Sequence, residues 1–186
     1  MPRKRSLKYK ICLVGEHKVG KTCLIRRYVF NEFSDGYITT IGAKVTKKSI
    51  EAQHPDSKEP LSLDLMIWDI MGQQGFRRLL QNSYFYGAQG IVAVCDNTRE
   101  DTLNQLEGWI EGIERITDEV PTVFLGNKVD LVEAQEIGLS ELENFASQYE
   151  CSETFLSSAK TGENVESAFS ILGRKLLEDT LDQEKK

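Results

Sequence analysis

From Gly90 onward the chain alternates short apolar runs with longer stretches of helical spacing, and this alternation constrains the fold more than any other feature. The runs GIVAVCD (90–96), PTVFLGN (121–127) and TFLSS (154–158) each have an apolar centre, as strands covered on both faces need. Stretches 102–117, 140–149 and 165–181 repeat apolar residues at helical intervals. Strands joined through helices of that length run parallel, with right-handed crossovers. Nearer the N-terminus, YKICLV (9–14) reads as a buried strand, then a glycine-bearing loop, then a helix over 21–30. Segments 43–52 and 61–69 read as an antiparallel hairpin joined by the hydrophilic HPDSKEP. The expectation is a three-layer α/β fold: a mostly parallel six-stranded sheet with one antiparallel strand and helices on both faces.

A chain of 186 residues is long enough for one well-buried core and short for two, so we expect one domain over 9–178 between a basic tail (1–8) and a charged tail (179–186). Apolar residues at 40% and charged residues at 28% exclude the disordered and fibrous classes. The net charge of -6 argues against a nucleic-acid partner, since that binding rests on cations meeting phosphate. Arg3, Lys4, Arg5, Lys8 and Lys10 read as a solvated terminus rather than a membrane-binding patch. No run reaches the roughly 18 apolar residues of a membrane helix and no signal segment follows the basic start, so a cytoplasmic protein is expected. Cys12, Cys23, Cys95 and Cys151 are far apart and read as reduced thiols in or near the core.

Gly15 to Thr22, GEHKVGKT, matches G-x-x-x-x-G-K-S/T in full, between a strand and a helix. In such a loop the backbone N–H groups converge on phosphate, and Gly15, Lys18, Val19, Gly20, Lys21, Thr22 and Cys23 are the candidate phosphate-binding stretch. Lys21 brings a point charge to the β- and γ-phosphates, and the Thr22 hydroxyl suits Mg²⁺. Motors, nucleotide kinases and GTPases share this loop, so it names a ligand class and leaves the base open.

The base is read elsewhere. Asn127-Lys128-Val129-Asp130 follows the apolar 121–127 strand, at the carboxyl edge where open α/β sheets bind ligands. An Asp130 carboxylate accepts from both N1–H and the 2-amino group of guanine, a pair that adenine lacks. The Lys128 stem can cover a purine face, Asn127 can tie the loop to its neighbours, and Ser158-Ala159-Lys160 can offer a backbone N–H to the guanine oxygen. Between these motifs stands Asp69-Ile70-Met71-Gly72-Gln73. Asp69 at a strand end suits Mg²⁺, held through water; Gly72 can turn its N–H to the γ-phosphate, and Gln73 can orient the attacking water.

GEHKVGKT, WDIMGQQ, NKVD and SAK, in this order and spacing, resemble the Ras superfamily of small GTPases from Tyr9 to about Leu177. YITTIGAKV and SYFYGAQGIVAV are most similar to the Rab branch. The resemblance implies the small G-protein version of the phosphate-loop NTPase fold, GTP/GDP and Mg²⁺ as ligands, and slow hydrolysis of GTP. It further implies Thr40 as a Mg²⁺ ligand that senses the γ-phosphate, Phe33 against the guanine base and Tyr37 near the nucleotide. Gln73, Lys21 and Thr40 would then carry catalysis. Segments 31–44 and 72–83 would be two switches that meet effector, exchange-factor and GTPase-activating proteins. A monomer is expected, without an encoded lipid anchor, because no cysteine follows Cys151 and Pro2 stands where myristoylation needs glycine; any membrane association would be peripheral, through partners.

Departures from the family pattern are specific. Ile70 and Met71 stand where the family has small residues, Gln74 replaces an acid, and Lys44 also replaces an acid of Rab-like chains. His17 and Lys18 occupy phosphate-loop positions that are often small, and His17 can obstruct an arginine supplied by an activating partner. A second reading is therefore a module that binds GTP and hardly turns it over. A third, a kinase acting on a small acceptor, leaves NKVD and SAK without a purpose.

Overall fold

Along strand β1 (Arg5–Val14), Ile11 and Leu13 point to one face of the sheet while Cys12 and Val14 point to the other, and all four are fully buried. That two-residue period, with apolar groups on both faces, places β1 at the centre of a three-layer structure. The computed structural model describes residues 5–34, 36, 39–54, 57–72, 83–117, 119–149 and 152–185. The other strands are β2 (Ala43–Gln53), β3 (Pro60–Ile70), β4 (Gly90–Asp96), β5 (Thr122–Asn127) and β6 (Ser152–Ser157). They form one sheet in the order β2-β3-β1-β4-β5-β6, in which β2 and β3 pair antiparallel and the remaining neighbours pair parallel.

Helices α1 (Lys21–Phe30) and α5 (Val165–Glu184) cover one face, where Leu24, Tyr28, Phe169 and Leu172 close over Leu13, Val92 and Leu125. The other face is covered by α2 (Glu100–Asn104), α3 (Leu106–Glu114) and α4 (Leu139–Ala146), through Leu106, Trp109, Ile113 and Leu142. Tyr28 and Phe169 stack at 4.1 Å with 6° between their planes, joining α1 to α5. Among the described residues no helix is long and apolar enough to cross a membrane.

The expected elements form, with differences at their ends; the helix expected over 140–149, for one, runs from Leu139 to Ala146. β1 starts at Arg5 rather than Tyr9: residues 5–8 hold a single apolar residue, Leu7, and carry no apolar run, yet Arg5 to Lys8 pair with Leu61 to Asp64 of β3. The helix expected over 102–117 is two helices that end at Glu114, where the chain tightens and the Ile116 N–H returns to the Ile113 carbonyl at 2.8 Å, three residues back. The last helix runs to Glu184, where buried Leu181, a Thr180 to Tyr9 hydroxyl bond of 2.9 Å and an Arg5–Glu184 ion pair hold it against β1. Cys12 and Cys95 are buried free thiols whose burial pushes them up to about 12, and Cys23 is half-buried. Cys151 lies outside the described residues.

Candidate functional site

Parallel pairing brings the carboxyl ends of β1, β3, β5 and β6 to one edge: Leu13 lies opposite Asp69, and Asn127 opposite both Asp96 and Ser157. Above this edge lies a cleft of about 510 Å³ lined by residues of every motif, among them Lys21, Thr22, Asp69, Gly72, Asn127 and Asp130. The loop between β1 and α1 enters it tightly. Gly15, at φ +137°, leaves no room for a side chain, since a Cβ would lie 2.1 Å from the Val94 carbonyl oxygen. Gly20 caps α1 at φ +101° and has no side chain with which to cap the first N–H groups of the helix. Lys21 is buried, and its Nζ donates to the carbonyls of Gly15 at 2.6 Å and Glu16 at 2.9 Å. Burial lowers its pKa to about 8, against the pull of Asp69 and Glu16.

A cluster of three oxygens sits beside it. Thr22 and Thr40 both donate through Oγ1 to Asp69 Oδ2, the second at 3.2 Å, and the two hydroxyls lie 3.1 Å apart. Asp69 Oδ1 is buried and has no hydrogen-bond partner among the described residues. Burial raises the Asp69 pKa, while the threonine hydroxyls and Lys21 pull it the other way. A buried carboxylate with one oxygen unsatisfied and two hydroxyls at its side is a donor set that a hard cation completes, so these residues fit Mg²⁺.

At the other end of the cleft, Asn127 is a brace. Its Nδ2 donates to the Val19 carbonyl at 2.8 Å and its Oδ1 accepts from the Ala159 N–H at 3.2 Å, which joins the phosphate loop to the 158–160 loop. Asp130 accepts at Oδ1 from the Ser158 hydroxyl at 2.6 Å, an orientation that leaves its other oxygen for a ligand. Lys128 has φ +73° and bonds to Asp96 Oδ2 at 2.6 Å. Burial would raise Asp96, but Lys128 and the Thr98 hydrogen bonds outweigh it and hold the carboxyl below its ordinary range.

Most of the expected residues come together here. Lys18, Gly20, Lys21, Thr22, Cys23, Phe33, Thr40, Asp69, Gly72, Asn127, Lys128, Asp130, Ala159 and Lys160 line the cleft. Val19 does not present its side chain, which lies in the core, and Ser158 turns its hydroxyl to Asp130. Gln73, Tyr37 and residues 74–82 of the second switch lie outside the described residues. Ile70 and Met71 are buried, and the Met71 N–H bonds to the Gly42 carbonyl at 3.0 Å, joining the two switch segments at their roots. His17 lines the cleft; partial burial and the Lys18, Lys21 and Arg99 cations hold its pKa below the usual value.

Four residues at the site were not among those expected. Buried Glu16 accepts at Oε1 from the Trp109 indole N–H at 3.0 Å. Arg99 bonds to Asp96 and, through Nη2, to the His17 carbonyl at 3.0 Å. Arg27 holds the carbonyls of Ala159 and Lys160. Asp96 alone had a visible signal, a carboxylate ending an apolar strand at the same sheet edge.

The Ras family model matches residues 10–178. Over 172 residues the chain is 35% identical to the GTP-binding protein ypt1 of Schizosaccharomyces pombe, an alignment covering 91% of this chain and 80% of that one. It is 34% identical to the Ras-related protein Rab-13 of Rattus norvegicus over 91% of this chain and 80% of the relative. With the Ras-related protein Rab-1D of Dictyostelium discoideum the identity is 36%, over 89% and 78%. These relatives do not favour a GTP-binding module without turnover. Because the match runs from the phosphate loop through the base-reading loop rather than through one motif, the chain belongs to the Ras family, as a Rab-like switch that binds guanine nucleotide and hydrolyses GTP.

Proposed function

We propose that this chain performs its switch cycle with the residues of the cleft as follows. Guanine is read by Asp130, with Lys128 and Phe33 against the ring and the 158–160 loop supplying a backbone N–H. The phosphates lie on the N–H groups of Gly15 to Cys23, with Lys21 donating to the β- and γ-oxygens. The Thr22 and Thr40 hydroxyls and, through water, Asp69 would hold Mg²⁺, which would neutralise negative charge that develops on the phosphates. The observation that carries this reading is the convergence of both threonine hydroxyls on Asp69 Oδ2 with Oδ1 buried and unpartnered among the described residues.

Hydrolysis is an in-line displacement. The water oxygen bonds to the γ-phosphorus as the bond to the β,γ-bridging oxygen breaks, and GDP departs with that electron pair. Gln73 orients the water, Lys21 stabilises the leaving oxygens, and Gly72 packs close enough to Lys21 that a Cβ would lie 2.6 Å from Nζ. Loss of the γ-phosphate releases Thr40 and Gly72, and with them the segments 31–44 and 72–83 that effector, exchange-factor and activating proteins distinguish. The chain acts as a monomer in this scheme.

Chromatography of nucleotide from the denatured protein, before and after incubation with GTP and Mg²⁺, tests the reading: guanine nucleotide passing from GTP to GDP is the expected result, and adenine nucleotide refutes the role of Asp130. In single-turnover hydrolysis, Gln73→Ala is expected to slow the step by about 100-fold, the scale of losing an oriented nucleophile. An unchanged rate removes Gln73 from the mechanism.

A further inference from the structure

Arg27 stands in the last turn of α1, half-buried, and takes no part in the chemistry above, yet it joins three segments of the chain. Its Nε donates to the Ala159 carbonyl at 2.9 Å and its Nη2 to the Lys160 carbonyl at 2.5 Å, so one guanidinium spans two successive carbonyls of the base-reading loop. The same group reaches the other way, with Nη1 donating to Asn31 Oδ1 at 3.1 Å. Asn31 caps α1 in the left-handed conformation, φ 55°, and returns its N–H to the Arg27 carbonyl at 3.0 Å. It is the first residue of the segment that carries Phe33 and Thr40 into the cleft.

The 158–160 loop is thus held from two sides, by Asn127 on the Ala159 N–H within and by Arg27 on the carbonyls behind. A planar guanidinium holds several acceptors in a fixed fork, which a lysine ammonium does not reproduce. Asn31 fixes one arm of that fork. If the chain at residue 31 moves, the guanidinium loses a partner that restrains it, and its hold on the two carbonyls weakens.

We propose that Arg27 is a positioning residue that couples the first switch segment to the base-reading loop, so that displacing Asn31, at the root of that segment, also speeds release of guanine nucleotide. The coupling rests on the proposed base-reading role of Asp130 and the 158–160 loop.

The test is a double-variant cycle on the full chain, read as the rate at which N-methylanthraniloyl-GDP is released on chase with unlabelled GDP. Asn31→Gly deletes the amide and keeps the left-handed backbone without strain. Loss of charge-assisted bonds of this kind predicts release faster by about ten-fold in Arg27→Ala and about three-fold in Asn31→Gly. The double variant is expected to release no faster than Arg27→Ala, because the amide acts through the guanidinium, and Arg27→Lys is expected to leave release fast. Release within about two-fold of wild type in Arg27→Ala, or effects that multiply in the double variant, would overturn the coupling. Should Arg27→Ala not fold, Arg27→Lys and Asn31→Gly decide: fast release in both supports the coupling, and wild-type release in either overturns it. A wild-type chain that retains labelled ADP as firmly as labelled GDP overturns the base reading itself, an outcome distinct from wild-type guanine binding with unmoved variants.

Discussion

At the scale of single residues, the site stores two charges that burial disfavours, and both answer to ligand. Burial lowers Lys21 from 10.5 to about 8, so between those values the unfolded chain holds a proton that the folded chain without nucleotide does not. Stability of the nucleotide-free protein should therefore rise with pH through that window. Phosphate favours the ammonium, so nucleotide binding takes up a proton above pH 8, and affinity for GDP should fall there by up to about ten-fold per pH unit. Calorimetric titration in buffers of different ionisation enthalpy measures that proton directly; a flat affinity from pH 7 to 10 would contradict it. Asp69 carries the opposite charge and an unsatisfied oxygen. In Asp69→Asn the size is kept and the charge lost, and chelating Mg²⁺ should no longer accelerate nucleotide release, whereas in the wild type it should do so by about ten-fold or more, the scale of a lost charge contact. Nucleotide chase with and without a chelator distinguishes the two.

At the scale of elements, the helix that begins at the phosphate loop owes its place to packing on the far side of the molecule. The stacked Tyr28–Phe169 pair fixes α1 against α5, and Phe169 is fully buried. Phe169→Ala should cost about 3–5 kcal/mol in urea unfolding, by lost transfer energy and the cavity left behind. The α1 helix was legible because KTCLIRRYVF follows a full phosphate-loop string, and the β2–β3 hairpin because a hydrophilic, proline-bearing connection separates two segments that read as strands. Residues 5–8, with Leu7 as their one apolar side chain, carried no such signal, since their strand conformation comes from pairing with Leu61 to Asp64. Likewise the extension of α5 to Glu184 depends on Tyr9 and Arg5, distant in sequence and adjacent in space.

For the whole molecule, the sheet is the reason that four separated strings act as one site. Guanine nucleotide held as proposed, across the phosphate loop and the 127–130 and 158–160 loops, would bind the folded chain and not the unfolded one, so it should stabilise by mass action. At a thousandfold excess over Kd the gain is about 4 kcal/mol, which for a domain of this size raises Tm by roughly 8–16 °C. Thermal melts with GDP and Mg²⁺ should show that shift, and melts with ADP should show none; equal shifts would remove the base discrimination.

GEHKVGKT, DIMGQ, NKVD and SAK, together with the alternation after Gly90, determined the fold class and the kind of ligand, because each is a local requirement of backbone approach, charge or hydrogen-bond pattern. Which residues hold those motifs in place was decided by tertiary structure alone. Glu16 beside Trp109, Arg99 beside His17, and Arg27 beneath the 158–160 loop are pairings between residues far apart in the sequence. A buried polar group takes whatever partner the packed sheet and helices bring within about 3 Å, and that neighbour is set by three-dimensional register and not by spacing in the sequence.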